Sequence, residues 1–145
     1  MLIAGVSEKI ITPDFPAFLT GYPEPLDRYH SDVHDDIKAH CFYLKNREVR
    51  LAIVTLDLCY YSKSRVRMVR EEIEAACGIP AANIMISTTH THSAPAPAGI
   101  PFGLWNENRE MYPHYLDWVN RQIVAGVRDA MLQAFPAEIA LRSEE

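Results

Sequence analysis

The chain has 145 residues, of which 48% are hydrophobic and 23% charged, a composition typical of one globular domain and not of a disordered chain. Fourteen Lys and Arg residues against 19 Asp and Glu residues give a net charge of -5, which argues against nucleic acid as a partner because phosphate binding needs a basic surface. No apolar run reaches the ~18 residues of a transmembrane helix, and no signal peptide is visible, so we expect a cytoplasmic protein.

The first part of the chain predicts one strand followed by a long loop. Residues 2–11 are mostly apolar and predict a short strand, which ends where Pro13 and Pro16 remove backbone donors. Residues 21–36 are rich in Pro, Asp, His and Tyr and predict an irregular loop. Loops of this length in compact domains are often functional, so this segment is a candidate for a site.

The middle of the chain predicts a β-hairpin and then a βαβ unit. Alternating burial predicts a strand over 37–44, and an almost continuous apolar run predicts a second, central strand over 51–58. Apolar residues at spacings of three and four predict a helix over 62–77, and Gly78 is placed to end it. Residues 83–88 predict the next strand, which implies a parallel pair of strands with helices covering the sheet.

The last part of the chain predicts a connector, a long helix and the beginning of a strand. The apolar, turn-rich residues 95–105 are either a wall over a cleft or a rigid connector to a helix over 112–134. A strand beginning at 137–142 has little room to pair before the chain ends, so we expect a part of a larger domain. The predicted fold class is α/β: a mixed β-sheet with a βαβ crossover flanked by helices, an incomplete part of a larger catalytic domain.

The clearest chemical signal is a pair of histidines, His90 and His92, directly after the strand predicted at 83–88. Ligands gather at the carboxyl ends of parallel strands, and two residues at i and i+2 of an extended backbone point to the same side. Both rings can therefore face one cavity. Imidazole is the commonest metal ligand, and zinc hydrolases use such pairs, although both histidines are also acceptable as ordinary polar loop residues.

Two weaker candidates lie elsewhere in the sequence. Residues 30–36 contain two histidines and three carboxylates, so His34 belongs either to a loop that orients ligands or to a solvated acidic turn. Asp57 interrupts an apolar strand, so it either accepts a hydrogen bond from a metal-ligating histidine or caps the turn after the strand. We expect His40 and His114 to have structural or surface roles, and the three widely spaced cysteines to be buried thiols.

The order of several short segments resembles the N-terminal part of the neutral/alkaline non-lysosomal ceramidase family. The family signature T-H-T-H-S-G-P is specific, and the earlier segments occur in the family's order. The resemblance covers residues 3 to about 142, which is almost the whole chain. The segments that carry it read GVSEKIITP at 5–13, LTGY at 19–22, VHDDIKA at 33–39, VTLDL at 54–58 and STTHTHSAP at 87–95.

The resemblance implies a zinc-dependent amidase. In the family the first histidine of the signature is a zinc ligand, here His90, and the second, here His92, faces the substrate amide as a catalytic residue. Zinc would polarise the amide carbonyl and activate a water molecule. Apart from the resemblance, we expect Asp57, His34 and Ser93 to lie behind the ligands or on the substrate side. The other family ligands, a His, a Glu and a Tyr, would lie beyond residue 145, and Ala94 stands where the family has glycine.

The function expected from the resemblance is cleavage of an N-acyl amide, with a small amide or lipid-like substrate as in sphingolipid metabolism. One or two histidines cannot complete a zinc site, so the chain would need the remaining part of the enzyme or a second copy of itself. The alternative is a non-catalytic binding or assembly module that retains the fold. An amidohydrolase-type enzyme is a weaker alternative, because its H-x-H would follow the first barrel strand, whereas at least two strands precede His90 here.

Overall fold

The computed structural model describes residues 1–22, 28–97 and 110–140. Within these ranges the chain forms an α/β structure with five strands and two α-helices, which confirms the predicted fold class. The strands are β1 (Leu2–Ile10), β2 (Lys38–Asn46), β3 (Val49–Leu56), β4 (Ile84–Thr88) and β5 (Phe135–Pro136), and the helices are α1 (Lys63–Cys77) and α2 (Pro113–Leu132). The strands make one mixed sheet in the order β4-β3-β2-β1-β5.

The predicted hairpin and βαβ unit are both confirmed. Strands β2 and β3 are antiparallel across a tight turn at Arg47, and β3 and β4 are parallel with α1 between them in the chain. Local chemistry sets the limits of α1: the side chain of Ser62 accepts the backbone N–H of Arg65, and Gly78 ends the helix at φ 66°. The carboxyl ends of β3 and β4 therefore lie side by side at one edge of the sheet.

The hydrophobic core lies between the two helices and one face of the sheet. Helix α2 lies so close to β1 that a Cβ added to Gly5 would be 1.9 Å from the carbonyl oxygen of Ala130. The opposite face of the sheet leaves Val6 and Met85 exposed. The largest fully buried side chains of the core are Ile11, Val54, Leu56, Leu58, Val69, Ile73, Ile79, Ile84, Leu116, Val119, Ile123 and Val127.

A buried arginine joins the two helices. Arg65, in the first turn of α1, is only 5% exposed and donates to the carboxylates of Glu110 and Asp117. The hydrogen bonds to Glu110 are the main reason that the pKa of Arg65 is raised, so its charge is permanent. Since Glu110 precedes α2, this contact fixes the position at which the chain returns to the core.

The last strand lies earlier in the chain than the predicted strand at 137–142. The structure forms β5 at 135–136, where it pairs antiparallel with β1, while 137–140 are irregular and 141–145 lie outside the described residues. Pro136 is tolerated because β5 is an edge strand. Most of the predicted connector at 95–105, and residues 23–27 of the long loop, also lie outside the described residues. No helix in the described ranges is long and apolar enough to cross a membrane.

Candidate metal site at the end of strand β4

The histidine motif follows β4 at the carboxyl edge of the parallel pair, as its position in the sequence predicts. The backbone N–H of Thr89 donates to the carbonyl of Leu56 at 2.9 Å, and that of His90 donates to the carbonyl of Leu58 at 3.1 Å. The chain then turns at His90, whose φ is 60°. This left-handed conformation is uncommon for a residue with a side chain and clusters at functional sites.

The hydrogen bond made by the His90 ring determines which ring nitrogen is available to a ligand. Nδ1 of His90 lies 2.7 Å from the backbone carbonyl oxygen of Cys59. Because a carbonyl oxygen can only accept, Nδ1 carries the proton and Nε2 presents its lone pair. Metal-ligating histidines usually have this arrangement, in which a backbone carbonyl holds the ring in the required tautomer.

Three side chains converge here as possible ligands. One ligand atom each from Cys59, His90 and His92 lies within 4.8 Å of the other two. The Sγ atom of Cys59 is 3.7 Å from Nδ1 of His90, but this nitrogen carries the proton donated to the Cys59 carbonyl, so Nε2 is the nitrogen left to bind a metal. Nitrogen and sulfur are the donors that zinc prefers, so the set fits zinc as part of a site. Burial raises the pKa of the Cys59 thiol, which favours the two imidazoles over the thiol as ligands.

The His92 ring packs against His90 on one side and against the loop at 21–22 on another. Ring centroids are 5.1 Å apart both for His90 with His92 and for Tyr22 with His92, and both pairs are edge-to-face. Gly21 lies directly against the ring, because a Cβ added there would be 2.2 Å from Cγ of His92. Only glycine fits this position, where φ is also 107°.

A second strand-like segment supports the backbone of the motif. Leu19 forms an antiparallel bridge with Pro95, and the N–H of Ala96 donates to the carbonyl of Phe18 at 2.8 Å. Ala94 is completely buried beneath this contact. From the same loop, the guanidinium of Arg28 donates to the carbonyl of His92 at 2.9 Å. Residues far apart in sequence thus hold the motif in place.

Thr91 and Ser93 line a neighbouring cavity of about 420 Å³, whereas His90 and His92 are not among its lining residues. Two of the other predicted residues, His34 and Asp57, also line this cavity. The motif therefore divides into two groups: its imidazoles contact each other, and its hydroxyl residues line the cavity. The lining residues are Thr12, Pro13, Leu19, His30, Asp32, Val33, His34, Asp35, Asp36, Ile37, Asp57, Thr91, Ser93 and Pro95.

Asp57 lies just beyond the end of β3 and pairs with β2. Its Oδ2 accepts the backbone N–H of Lys38 at 3.0 Å and lies 3.2 Å from Nε2 of His40. The other ring nitrogen of His40 is 3.2 Å from Glu8. Among the described hydrogen bonds of Asp57, none goes to His90 or His92. His40 has two carboxylate partners, and Asp57, which lines the cavity, bonds to β2 rather than to a histidine of the motif.

The other histidines are separate from the motif. His34 is 97% exposed and pairs with its neighbour Asp35, so the structure does not bring it to the imidazole pair. Nε2 of His30 donates to the carbonyl of Phe15 at 2.9 Å, which fixes the loop before the cavity. His114 is exposed in the first turn of α2.

Comparison with solved structures identifies the architecture. The chain matches neutral ceramidase from Pseudomonas aeruginosa with a TM-score of 0.75 and 21% identity over 93% of its length. It matches a ceramidase complexed with C2 with a TM-score of 0.74 and 21% identity, again over 93%. The chain has the fold of a part of neutral ceramidase. It spans 22% of each of these chains. No protein-family model and no curated protein matches the sequence.

Within this ceramidase-like fold, sequence reasoning identified the two histidines but not the residues around them. Cys59 contributes a carbonyl, and Gly21, Tyr22 and Arg28 contact His92, although none has a recognisable ligand spacing. One signal was available: Gly21 and Tyr22 end the segment at 19–22 that belongs to the family resemblance. No feature of the sequence indicated that Arg28 belongs to the site, because its contact with His92 joins residues 64 positions apart.

Proposed function

We propose that this chain supplies the His90 and His92 part of the active site of a ceramidase-like, zinc-dependent amide hydrolase, and that it is the N-terminal portion of that catalytic domain. The observation that carries the proposal is the hydrogen bond from Nδ1 of His90 to the Cys59 carbonyl at 2.7 Å. It leaves Nε2 available at the edge of a sheet whose fold matches neutral ceramidase over 93% of this chain.

His90 is the proposed zinc ligand through Nε2, and the remaining ligands come from the rest of the enzyme. Zinc, when bound, polarises the amide carbonyl and lowers the pKa of a water molecule. His92 is the proposed catalytic residue: its ring nitrogen exchanges a proton with the substrate amide or with water. The buried carbonyl of Cys59 keeps the His90 ring in one tautomer and orientation throughout.

The cavity beside the motif is the proposed position of the substrate. Its volume of about 420 Å³ lies within the range of small-molecule sites. Ser93 and Thr91 offer hydroxyl groups to a polar part of the substrate, and Asp57 and His34 offer a carboxylate and an imidazole. The substrate class proposed is an N-acyl amide with a lipid-like chain, because the structural neighbours are ceramidases.

The experiment that tests this proposal is a measurement of zinc in the full-length gene product. We expect about one zinc per protein in the unchanged enzyme, and we expect His90→Ala to lose most of it, since replacing even the partners of ligands costs about 10–100-fold in metal affinity. His114→Ala is the matched control, because it removes an exposed histidine far from the motif in sequence. Equal zinc in His90→Ala and His114→Ala would contradict the ligand assignment.

A second measurement separates the roles of the two histidines. We expect His92→Ala to keep its zinc but to lose hydrolysis of a short-chain N-acyl amide, because His92 is proposed to move a proton rather than to hold the metal. An unchanged enzyme that holds no zinc and cleaves no amide would instead support a non-catalytic module.

A further inference from the structure

The contacts of Arg28 with the histidine motif have no role in the proposed chemistry so far. Its guanidinium carbon lies 4.6 Å above the ring centroid of Tyr22, and one of its nitrogens donates to the backbone carbonyl of His92 at 2.9 Å. The Tyr22 ring in turn contacts the His92 imidazole edge-to-face at 5.1 Å. Arg28 therefore contacts His92 in two ways: directly at its backbone carbonyl, and indirectly, through Tyr22, at its ring.

We propose that Arg28 and Tyr22 form a clamp that positions the His92 imidazole for its reaction. Arg28 is a positioning residue in this proposal, because it acts on His92 through the carbonyl and through Tyr22. The inference rests on the proposed function, since it concerns the residue assigned there to proton transfer. The inference adds Arg28 and Tyr22 to the site, and it assigns them the role of orienting His92.

The charge of Arg28 suits it for both contacts. A charged donor makes a stronger bond to a carbonyl than a neutral one, and a guanidinium can stack on an aromatic face while its edge donates. The compact ammonium of a lysine cannot lie over the Tyr22 ring and donate to the carbonyl with the same geometry. An Arg28→Lys substitution should therefore restore only part of the function of Arg28.

The backbone of Arg28 is itself held by the segment that supports the motif. The carbonyl of Arg28 accepts the N–H of Leu19 at 2.7 Å, and Phe18 and Tyr29 form an antiparallel bridge with rings 5.6 Å apart. Since Leu19 also bridges Pro95, the same short segment contacts both the arginine and the chain after His92. Leu19 therefore ties the backbone of Arg28 to the chain just after His92.

Without Arg28, neither the carbonyl of His92 nor the Tyr22 ring is held in place, and the His92 ring loses the support of these two contacts on one side. A misplacement of about 1 Å in a catalytic group can cost about 100-fold in rate, whereas the affinity for substrate depends on the cavity walls. We therefore expect the loss of Arg28 to lower kcat and to change KM little. A residue that bound the substrate directly would raise KM instead.

The test uses the full-length gene product carrying Arg28→Met, Arg28→Lys or Tyr22→Leu, with Arg67→Met as the matched control. Arg67 is an exposed arginine of α1, 81% accessible, and its ion pair within the described residues is a distant one to Glu71 at 4.0 Å. The measurements are kcat and KM for a short-chain N-acyl amide, zinc content, and the NMR signals of the His92 ring protons, assigned by their loss in His92→Gln. These signals report the position of the ring relative to Tyr22 without requiring activity.

We expect Arg28→Met to lower kcat by about 10–100-fold, up to the cost of misplacing a catalytic group by about 1 Å, and to shift the His92 signals while zinc content stays unchanged. Tyr22→Leu should shift the same signals, and Arg28→Lys should lie between Arg28→Met and the unchanged protein. If Arg28→Met matches Arg67→Met in kcat and in the His92 signals, or if only KM rises, the clamp is refuted.

The two proposals fail in different ways. Unchanged zinc in His90→Ala would refute the proposed function, while shifted His92 signals in Arg28→Met would still support the clamp as a structural device. Should Arg28→Met fail to fold, Arg28→Lys and Tyr22→Leu carry the same test, because each keeps one of the two contacts.

Discussion

Adding one methyl group at Gly21 tests the packing of the histidine site directly. In Gly21→Ala the new Cβ would lie 2.2 Å from Cγ and 2.5 Å from Cδ2 of the His92 ring. Ordinary contacts of a Cβ begin at 3.4 Å. The ring or the loop must therefore move by roughly 1 Å, the scale of displacement that disables a catalytic group.

Two costs contribute to the expected effect. The backbone at Gly21 has φ 107°, and holding alanine there costs of order 1–3 kcal/mol. Overpacking costs about 1–3 kcal/mol when neighbours cannot move, but Gly21 is exposed, so a joint shift of the loop and the His92 ring relieves most of it. We expect the free energy of unfolding to fall by about 1–3 kcal/mol, and kcat for an N-acyl amide to fall about 100-fold because His92 is displaced.

The assay is urea denaturation of the full-length protein together with kcat, and Gly78→Ala is the matched control. Gly78 also has a positive φ, 66°, but a Cβ there would lie 3.5 Å from Nη1 of Arg50, which is an ordinary contact. Gly78→Ala therefore carries the backbone cost, about 1–2 kcal/mol, without the steric one, and it lies at the opposite end of β4 from the motif.

The comparison of these two variants tests whether the contact between Gly21 and the His92 ring matters for catalysis. We expect both to lose stability and only Gly21→Ala to lose kcat and to shift the NMR signals of the His92 ring. If Gly21→Ala retains the kcat and the His92 signals of Gly78→Ala, then the close contact between Gly21 and His92 does not matter for the site.

Two further predictions concern stability. Arg65→Met should lower the free energy of unfolding in urea by about 3 kcal/mol, at the low end for a broken buried ion pair because Asp117 is half exposed, and a loss below about 1 kcal/mol would contradict this. Burial raises the pKa of Cys41 to about 12, so the folded state keeps a proton that the unfolded state releases. The free energy of unfolding should therefore fall between about pH 8.5 and 10, with a smaller slope in Cys41→Ala; equal slopes would refute this.

Much of the fold could be predicted because its signals are local. The βαβ unit follows from apolar periodicity and from Gly78 at the end of α1, and the alternation in β2 correctly placed Ala39, Cys41 and Tyr43 in the core. Strand β5 was misplaced because it is only two residues long and forms by pairing with β1. No local pattern marks a strand of that length.

The site was only partly predictable for a related reason. His90 and His92 could be assigned to the end of β4, because strand order places the carboxyl ends of parallel strands together. The sequence predicts that both histidine rings face one cavity. In the structure the two rings contact each other, and Thr91 and Ser93 line the cavity instead. The left-handed turn at His90 changes the direction of the chain, and the sequence carries no signal for it.

By itself, the sequence determined an acidic α/β chain with a histidine pair after a central strand and a ceramidase-like order of motifs. The tertiary structure decided which ring nitrogen of His90 is available, which loop holds His92, and that Asp57 pairs with β2. Each of these depends on contacts between residues 19 to 64 positions apart in the chain. Periodicity and propensity describe neighbours in sequence, whereas only folding brings such distant groups within hydrogen-bonding distance.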